Sequence, residues 1–273
     1  MFLWYDGRIS MLSILLSARE LLALSWKHYT GHIARFLEIS LWMLIPSLFQ
    51  LGFLFLFTSP LVSLSLRTAW TINTVVSRIL GIVLFTWVHI RLIKLALAHN
   101  PKEEGYIVTH PHIGWELFFP VLWVSLLFAL AFLGGSLFLV LPGLWLFFAL
   151  IFSNIIVVDT GKRGLQALQA SFSLVSGRFW PIVWRTFAVV VSFFGIIFLL
   201  RLCLLLLLGV LFSGSMSQDM ARLSRDLLFN HRLSIDTMRA FGLTHLKDTL
   251  LLSISLPFLV IAQTTLYKSL KMR

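Results

Sequence analysis

Charged side chains are absent from the 42 residues between Leu117 and Val158, which contain no Asp, Glu, Lys or Arg. As a helix rising about 1.5 Å per residue, this run would be about twice as long as a bilayer core of about 30 Å is thick. It is interrupted by Gly134-Gly135-Ser136 and then by Leu141-Pro142-Gly143. The pattern predicts a transmembrane hairpin and excludes a soluble domain in this part of the chain.

Cysteine and charge are scarce in the rest of the chain as well. The 273 residues include a single cysteine, Cys203, which excludes an internal disulfide. Only 12% of the residues are charged, whereas soluble domains have about 25%. The formal net charge is +11, and the basic residues lie mostly beside apolar segments. This placement is typical of topology signals and contacts with anionic lipid headgroups, and it argues against nucleic acid as a partner.

The apolar segments predict six transmembrane helices. Strict alternation of polar and apolar residues is absent, which argues against a β-barrel, and lipid cannot satisfy open backbone groups. We therefore predict an all-α, polytopic fold made of one integral membrane domain, 1–273. Its spans are expected at about 37–57, 72–94, 117–140, 143–158, 181–201 and 249–267.

Two amphipathic segments, 13–36 and 162–176, are expected to lie in the headgroup plane before spans one and five. The second segment carries an apolar stripe at helical spacing, formed by Leu165, Leu168, Phe172 and Val175. Gly177 is expected to end this helix. Arg178 and Trp180 would then anchor the turn that leads into lipid.

The distribution of Lys and Arg predicts the orientation of the chain. Fourteen of these residues fall on the side that carries both termini, and seven fall on the other side. Because basic residues favour the cytoplasmic side, both termini are expected to be cytoplasmic. The third outer loop, 213–248, is unusually basic for its predicted side, although four aspartates nearly offset its charge.

Two charged residues at span ends are candidate functional or structural residues. Asp159 closes span four, where it could start the following interfacial helix as an N-cap residue or contact a headgroup or ion. Arg201 lies sixteen residues after Arg185, about 24 Å along a helix. If both arginines snorkel outward, they bracket one bilayer core, and Arg201 marks its outer edge.

Histidines give only weak indications of a metal site. His28 and His32 are four residues apart, but no carboxylate or cysteine stands near them in sequence as a third ligand. A second group, His99, His110 and His112, lies in a predicted cytoplasmic loop. Signatures of phosphate loops, zinc proteases, nucleophile elbows and dinucleotide sites are also absent. We therefore expect no enzyme activity, no metal and no cofactor.

Several motifs resemble a bacterial membrane family, namely the membrane domain of some glycerophosphoryl diester phosphodiesterases and related stand-alone six-span proteins of unknown function. The motifs are Leu141-Pro142-Gly143-Leu144-Trp145, Val157-Val158-Asp159, Gly164-Leu165-Gln166-Ala167-Leu168, Ser171 and Gly177-Arg178-Phe179-Trp180. The resemblance implies a six-span fold in a bacterial cytoplasmic membrane and makes Pro142 and Gly143 structural candidates. It implies no reaction.

Three functions remain open at this point. The leading hypothesis is a non-enzymatic protein that organises the membrane or scaffolds lipids and partners, with anionic headgroups and a second membrane protein as partners. The first alternative is a transporter or channel for a small or lipidic substrate, which polar residues converging on a cavity would favour. The second alternative is an accessory role in phospholipid-headgroup metabolism.

Overall fold

A computed structural model describes residues 16–57, 66–98, 101–110, 112, 114–211 and 235–271. Within these ranges the regular secondary structure is helical and no strand occurs. Six segments are long and apolar enough to cross a membrane. The prediction of an all-α polytopic membrane protein is therefore confirmed.

In the described ranges the α-helices follow one another with two short 3₁₀ segments, Leu41–Met43 and Trp115–Leu117, between them. The α-helices are α1 Ala18–Gly31, α2 Ile33–Ser40, α3 Leu44–Phe57, α4 Leu66–Leu97, α5 Pro101–Thr109, α6 Phe118–Phe138, α7 Val140–Ala149, α8 Ser153–Thr160, α9 Leu165–Val175, α10 Phe179–Leu211 and α11 Ile235–Lys271.

The candidate spans overlap all six predicted spans, with ends that differ by at most four residues. They are Ile33–Phe53, Thr71–Leu97, Trp115–Leu137, Val140–Thr160, Phe179–Cys203 and His245–Lys271. The chain divides into two compact units, each built from segments that are distant in sequence. Unit 1 comprises Met1–Ile33, Ile90–Val191 and Phe258–Arg273, and unit 2 comprises Ala34–His89 and Ser192–Pro257.

In unit 2, the first span is irregular just before Pro46. The 3₁₀ segment Leu41–Met43 separates α2 from α3, and Pro46 is the third residue of α3. Proline has no N–H to donate and its ring crowds the carbonyl four residues earlier, here that of Trp42. Met43, Ser47 and Gln50 form the buried side of this region. The backbone in front of Pro46 therefore forms a tightened turn.

In unit 1, the hairpin of α6 and α7 turns at Leu139 and not at the glycines. Helix α6 continues through Gly134 and Gly135 to Phe138, and Leu139 alone is extended, with φ −166° and ψ 149°. Pro142 is the third residue of α7, where its missing N–H costs no intrahelical bond. The glycines instead allow close helix contact, because a Cβ on Gly135 would lie 3.1 Å from the Cα of Gly143. The predicted interruption at Gly134-Gly135-Ser136 is therefore wrong.

Span four is broken between α7 and α8, and Ser171 of α9 binds the backbone at the break. Its hydroxyl donates to the Ala149 carbonyl at 3.0 Å and accepts from the Phe152 N–H at 3.2 Å. Broken helices in membranes require such partners for their freed backbone groups. Near this break, Ser125 and Asn154 share a hydrogen bond between α6 and α8. Asn154 thus links α8 to α6 through its side chain.

Helix α9 buries a different face from the predicted one. Leu168 and Val175 are buried, but Leu165 is 64% exposed and Phe172 is 40% exposed. The small residues Ala167 and Ser171 complete the buried face. The predicted apolar stripe is therefore only half right, because hydrogen bonding by Ser171 and the small size of Ala167 decide which side packs.

The predicted outer loop 213–248 lies partly outside the described residues. Its described part, from Ile235 onward, is helical and forms the beginning of α11. This stretch contains no proline and one glycine, Gly242, so nothing in it breaks a helix. The loop prediction is wrong for residues 235–248. The predicted interfacial segment 13–36 also begins outside the described residues. Its described part contains α1 and the first residues of α2.

Candidate functional site

A cavity of about 290 Å³ lies within unit 2, between α3, α4 and α11. Five apolar or small residues contribute to its wall, namely Met43, Pro46, Gly81, Phe85 and Leu252. The remaining wall is polar, and every polar member lies inside a candidate span. These polar residues are Ser47, Gln50, Thr74, Ser77, Arg78, His245 and Thr249.

One wall of the cavity is a hydrogen-bonded group contributed by α3 and α11. The Ser47 hydroxyl lies 2.8 Å from His245 Nδ1 and 2.8 Å from the Thr249 hydroxyl. Thr249 also donates to the backbone carbonyl of His245 at 2.8 Å. Along this wall, α3 and α11 are therefore joined by side chains that hydrogen-bond to one another.

Helix α4, which forms the opposite wall, carries polar atoms that are shielded from solvent, both on the cavity wall and next to it. Asn73 is 2% exposed and Ser77 is 6% exposed. Among the described residues, no hydrogen-bond partner is found for the Asn73 amide atoms, Thr74 Oγ1 or Ser77 Oγ. An unsatisfied buried polar group costs about 1 to 3 kcal/mol. Thr74 and Ser77 line the cavity, so a polar ligand there would supply the missing partners.

The charge of the cavity wall is positive. Arg78 is the only charged side chain among the described residues that line the cavity, and none of these is Asp or Glu. Within the described part of the chain, no carboxylate forms an ion pair with Arg78. The arrangement can therefore hold a small polar group by several hydrogen bonds and one guanidinium.

Asp159 does not act as an N-cap. It lies in the last turn of α8, and the next helix, α9, has Gly164 at its N-cap position. Its carboxylate instead accepts hydrogen bonds from the Tyr267 hydroxyl and from Lys271 Nζ, both at 2.6 Å. The N-cap interpretation is wrong because two donors from the last turns of α11 reach this carboxylate. Asp159 thereby joins α8 to α11 within unit 1.

We expect Tyr267→Phe to destabilise the protein more than Lys271→Met. The Tyr267 hydroxyl is part-buried and bonds a charged group, which is worth about 1.5 to 3 kcal/mol. Lys271 is 55% exposed, and exposed ion pairs contribute below about 1 kcal/mol after screening. Thermal unfolding of the purified variants, each alone and combined with Asp159→Asn, measures both couplings. A larger coupling for Lys271 would contradict this assignment.

Arg201 has an acidic partner that its own span does not provide. Its Nη2 lies 2.7 Å from Asp248 Oδ1 of α11, within unit 2, and both side chains are substantially exposed. The span that contains Arg201 has no acidic residue to pair with it, so the sequence alone predicts that Arg201 only marks the outer edge of the bilayer core. The structure adds a cross-helix ion pair to that role.

The remaining candidates have structural surroundings. Gly177 has φ +82°, a left-handed conformation that favours glycine, just after the end of α9. Trp180 is largely exposed, whereas its neighbour Phe179 contacts Trp145 and Phe148. Arg178 donates its backbone N–H to the Val175 carbonyl. These contacts agree with an elbow at Gly177, and the anchoring roles of Arg178 and Trp180 stay predictions.

Two histidines of unit 1, His28 and His32, lie close together. The rings of His28 and His32 are 5.1 Å apart, and His32 Nε2 lies 3.6 Å from the Glu104 carboxylate. Burial and the neighbouring His32 lower the pKa of His28 below its ordinary value. Within the described residues, no group of three or more His, Cys, Asp or Glu side chains could hold a metal ion.

Sequence reasoning misses the cavity, although part of its pattern is visible. Gln50 is recognisable as a polar residue in a span, but Ser47 and His245 are far apart in sequence and only folding brings them together. On α4, the helical spacing of Asn73, Ser77 and Gly81 places small and polar residues on one face of an apolar helix. That stripe is the available indication.

The chain matches no protein-family model, no curated protein and no solved structure. Its resemblance to the membrane domain of glycerophosphoryl diester phosphodiesterases stays a prediction. Proposals about its function therefore rest on the geometry of its own residues.

Proposed function

We propose that this multi-pass membrane protein binds a small polar substrate or a lipid headgroup in the unit 2 cavity, as a transporter or lipid-handling protein. The observation that carries the proposal is the convergence of seven polar side chains from α3, α4 and α11 on one cavity. Polar groups inside a membrane are costly and usually mark a substrate pathway or binding site. No enzymatic step belongs to the proposal.

The cavity supports this function over the scaffold that the composition favours. A scaffold that works only through its lipid-facing surface needs no polar interior. Burial of the Thr74 and Ser77 hydroxyls would then destabilise the protein without serving its function. Binding at a polar cavity between helices is, in contrast, the usual arrangement in transporters. The accessory role in headgroup metabolism has no separate support in the geometry.

The proposed location is a bacterial cytoplasmic membrane with both termini in the cytoplasm. In this orientation, Thr74 and His245 lie toward the outer ends of their spans, at the starts of Thr71–Leu97 and His245–Lys271. Phe85 lies near the middle of its span. The cavity would therefore extend from the outer side toward the middle of the bilayer.

Thiol labelling tests whether the cavity is open to water. In a Cys203→Ser background in lipid nanodiscs, a water-soluble maleimide should label Ser77→Cys severalfold faster than Val76→Cys. Thiolates form in water and are the reactive species, and Val76 points to the outside of α4 without lining the cavity. Nanodiscs expose both membrane faces, so the result does not depend on orientation.

Filling the cavity provides the matched control. Gly81 lines the cavity and a Cβ there meets no atom within 4 Å, so the ring of Gly81→Phe is expected to occupy the space. Gly52 is equally unobstructed but does not line the cavity. Gly81→Phe should abolish labelling of Ser77→Cys, whereas Gly52→Phe should leave it unchanged. Equal labelling at positions 76 and 77 would refute a solute-accessible cavity.

A further inference from the structure

We infer that the ligand of the unit 2 cavity carries a phosphate-type oxyanion, which binds against Arg78, Ser77 and Thr74. This inference rests on the proposed function and specifies its substrate class. It covers two sources of the same chemistry: a free phosphate compound and the phosphate of a lipid headgroup.

The hydrogen-bonding groups of the α4 wall are suited to an acceptor-rich ligand. The hydroxyls of Ser77 and Thr74 have no partner within the described part of the chain, and both residues line the cavity. They lie three residues apart on one helix, with Arg78 beside Ser77. A guanidinium and two hydroxyls can together donate several hydrogen bonds to one ligand.

The opposite wall adds a donor group from another direction. The Gln50 amide of α3 also lines the cavity, and Gln50 is 8% exposed. A carboxylate has only two coplanar oxygens, whereas a phosphate presents oxygens in several directions. Donors on both α3 and α4 therefore fit the tetrahedral group better.

The charge of the cavity-lining side chains favours an anion over other classes of ligand. Hard cations are held by carboxylates, and the described lining residues include none. Arg201, the arginine of unit 2 at the end of span five, already pairs with Asp248. The Arg78 side chain is exposed and has no carboxylate partner among the described residues, so its charge is left for a ligand.

Binding to the full-length protein in maltoside detergent tests the inference with two probes. Inorganic phosphate represents the free anion, and phosphatidylglycerol represents the lipid headgroup, with diacylglycerol as its phosphate-free control. At least one phosphate probe should raise the thermal midpoint in a saturable way, and diacylglycerol should not. The probe that binds identifies the source.

Arginine variants decide whether the cavity is responsible. Arg78→Gln should weaken binding about tenfold or more, because a charge-assisted hydrogen bond is lost. Arg78→Lys should recover part of the affinity, and Arg201→Gln should bind as the wild type does, since it removes the same charge outside the cavity. If neither probe binds, or if Arg78→Gln binds unchanged, the phosphate inference is wrong. The labelling of Ser77→Cys decides the proposed function separately from either outcome.

Discussion

Gly143→Ala is expected to lower the free energy of unfolding by about 1 to 3 kcal/mol or more, as overpacking of a tight contact does. A Cβ on Gly143 would lie 2.9 Å from both the Cα and the N of Ser136 and would collide with the Ser136 hydroxyl. That hydroxyl is held by its bond to the Phe132 carbonyl, so it cannot simply rotate without losing this partner. Because the obstacle is partly backbone, α6 and α7 would have to separate.

Gly134→Ala is the matched control in the same hairpin. Both glycines lie inside helices, so alanine brings a similar gain of about 1 kcal/mol in helix propensity at each position. A Cβ on Gly134 meets no atom within 4 Å. Thermal midpoints of the purified proteins in detergent should therefore rise or stay level for Gly134→Ala and fall by several degrees for Gly143→Ala. Equal midpoints would show that α6 and α7 are not in close contact at Gly143.

Ser171→Ala is expected to destabilise the protein by about 1 to 3 kcal/mol for each of the two backbone groups that it leaves unpaired. The Ala149 carbonyl and the Phe152 N–H both bond the Ser171 hydroxyl, and all three residues are buried. Water cannot readily replace the hydroxyl at this position. The break between α7 and α8 should then become the weakest part of span four.

Ser173→Ala is the control for this substitution, because Ser173 is exposed and bonds only the Ala170 carbonyl of its own helix. Its thermal midpoint should stay near that of the wild type. Amide hydrogen exchange should report faster opening around Phe152 in Ser171→Ala and unchanged exchange there in Ser173→Ala. Unchanged exchange in both variants would mean that Ser171 does not hold the break.

Ser171 also accounts for the buried face of α9. Ala167 and Ser171 belong to the motifs quoted for the family resemblance, but the apolar stripe predicted from periodicity leaves both of them out. In the structure, Ala167 and Ser171 are fully buried and Leu165 points outward. A hydrogen bond to a broken neighbouring helix outweighs hydrophobicity here, and periodicity alone carries no information about such a partner.

The class of the protein and the number of its candidate spans can be predicted from the order of its residues alone. Long uncharged apolar segments predict membrane spans, and in lipid their backbone groups must form hydrogen bonds within helices. These are local requirements, so they can be read from consecutive residues. Helix ends are predicted less well, because the boundary at Leu139 is one that no strong breaker specifies.

Which distant polar residues meet depends on how the helices pack in the folded protein. Tyr267 and Lys271 reach Asp159 from more than a hundred residues away, and Arg201 reaches Asp248 on another span. The cavity likewise depends on α3, α4 and α11 placing Ser47, Ser77 and His245 around one space. In an apolar span a serine can bond its own helix, a neighbouring helix or a ligand, and these choices differ only in what packs against it. For that physical reason composition and periodicity predict a membrane protein, whereas its candidate binding site becomes visible only in the fold.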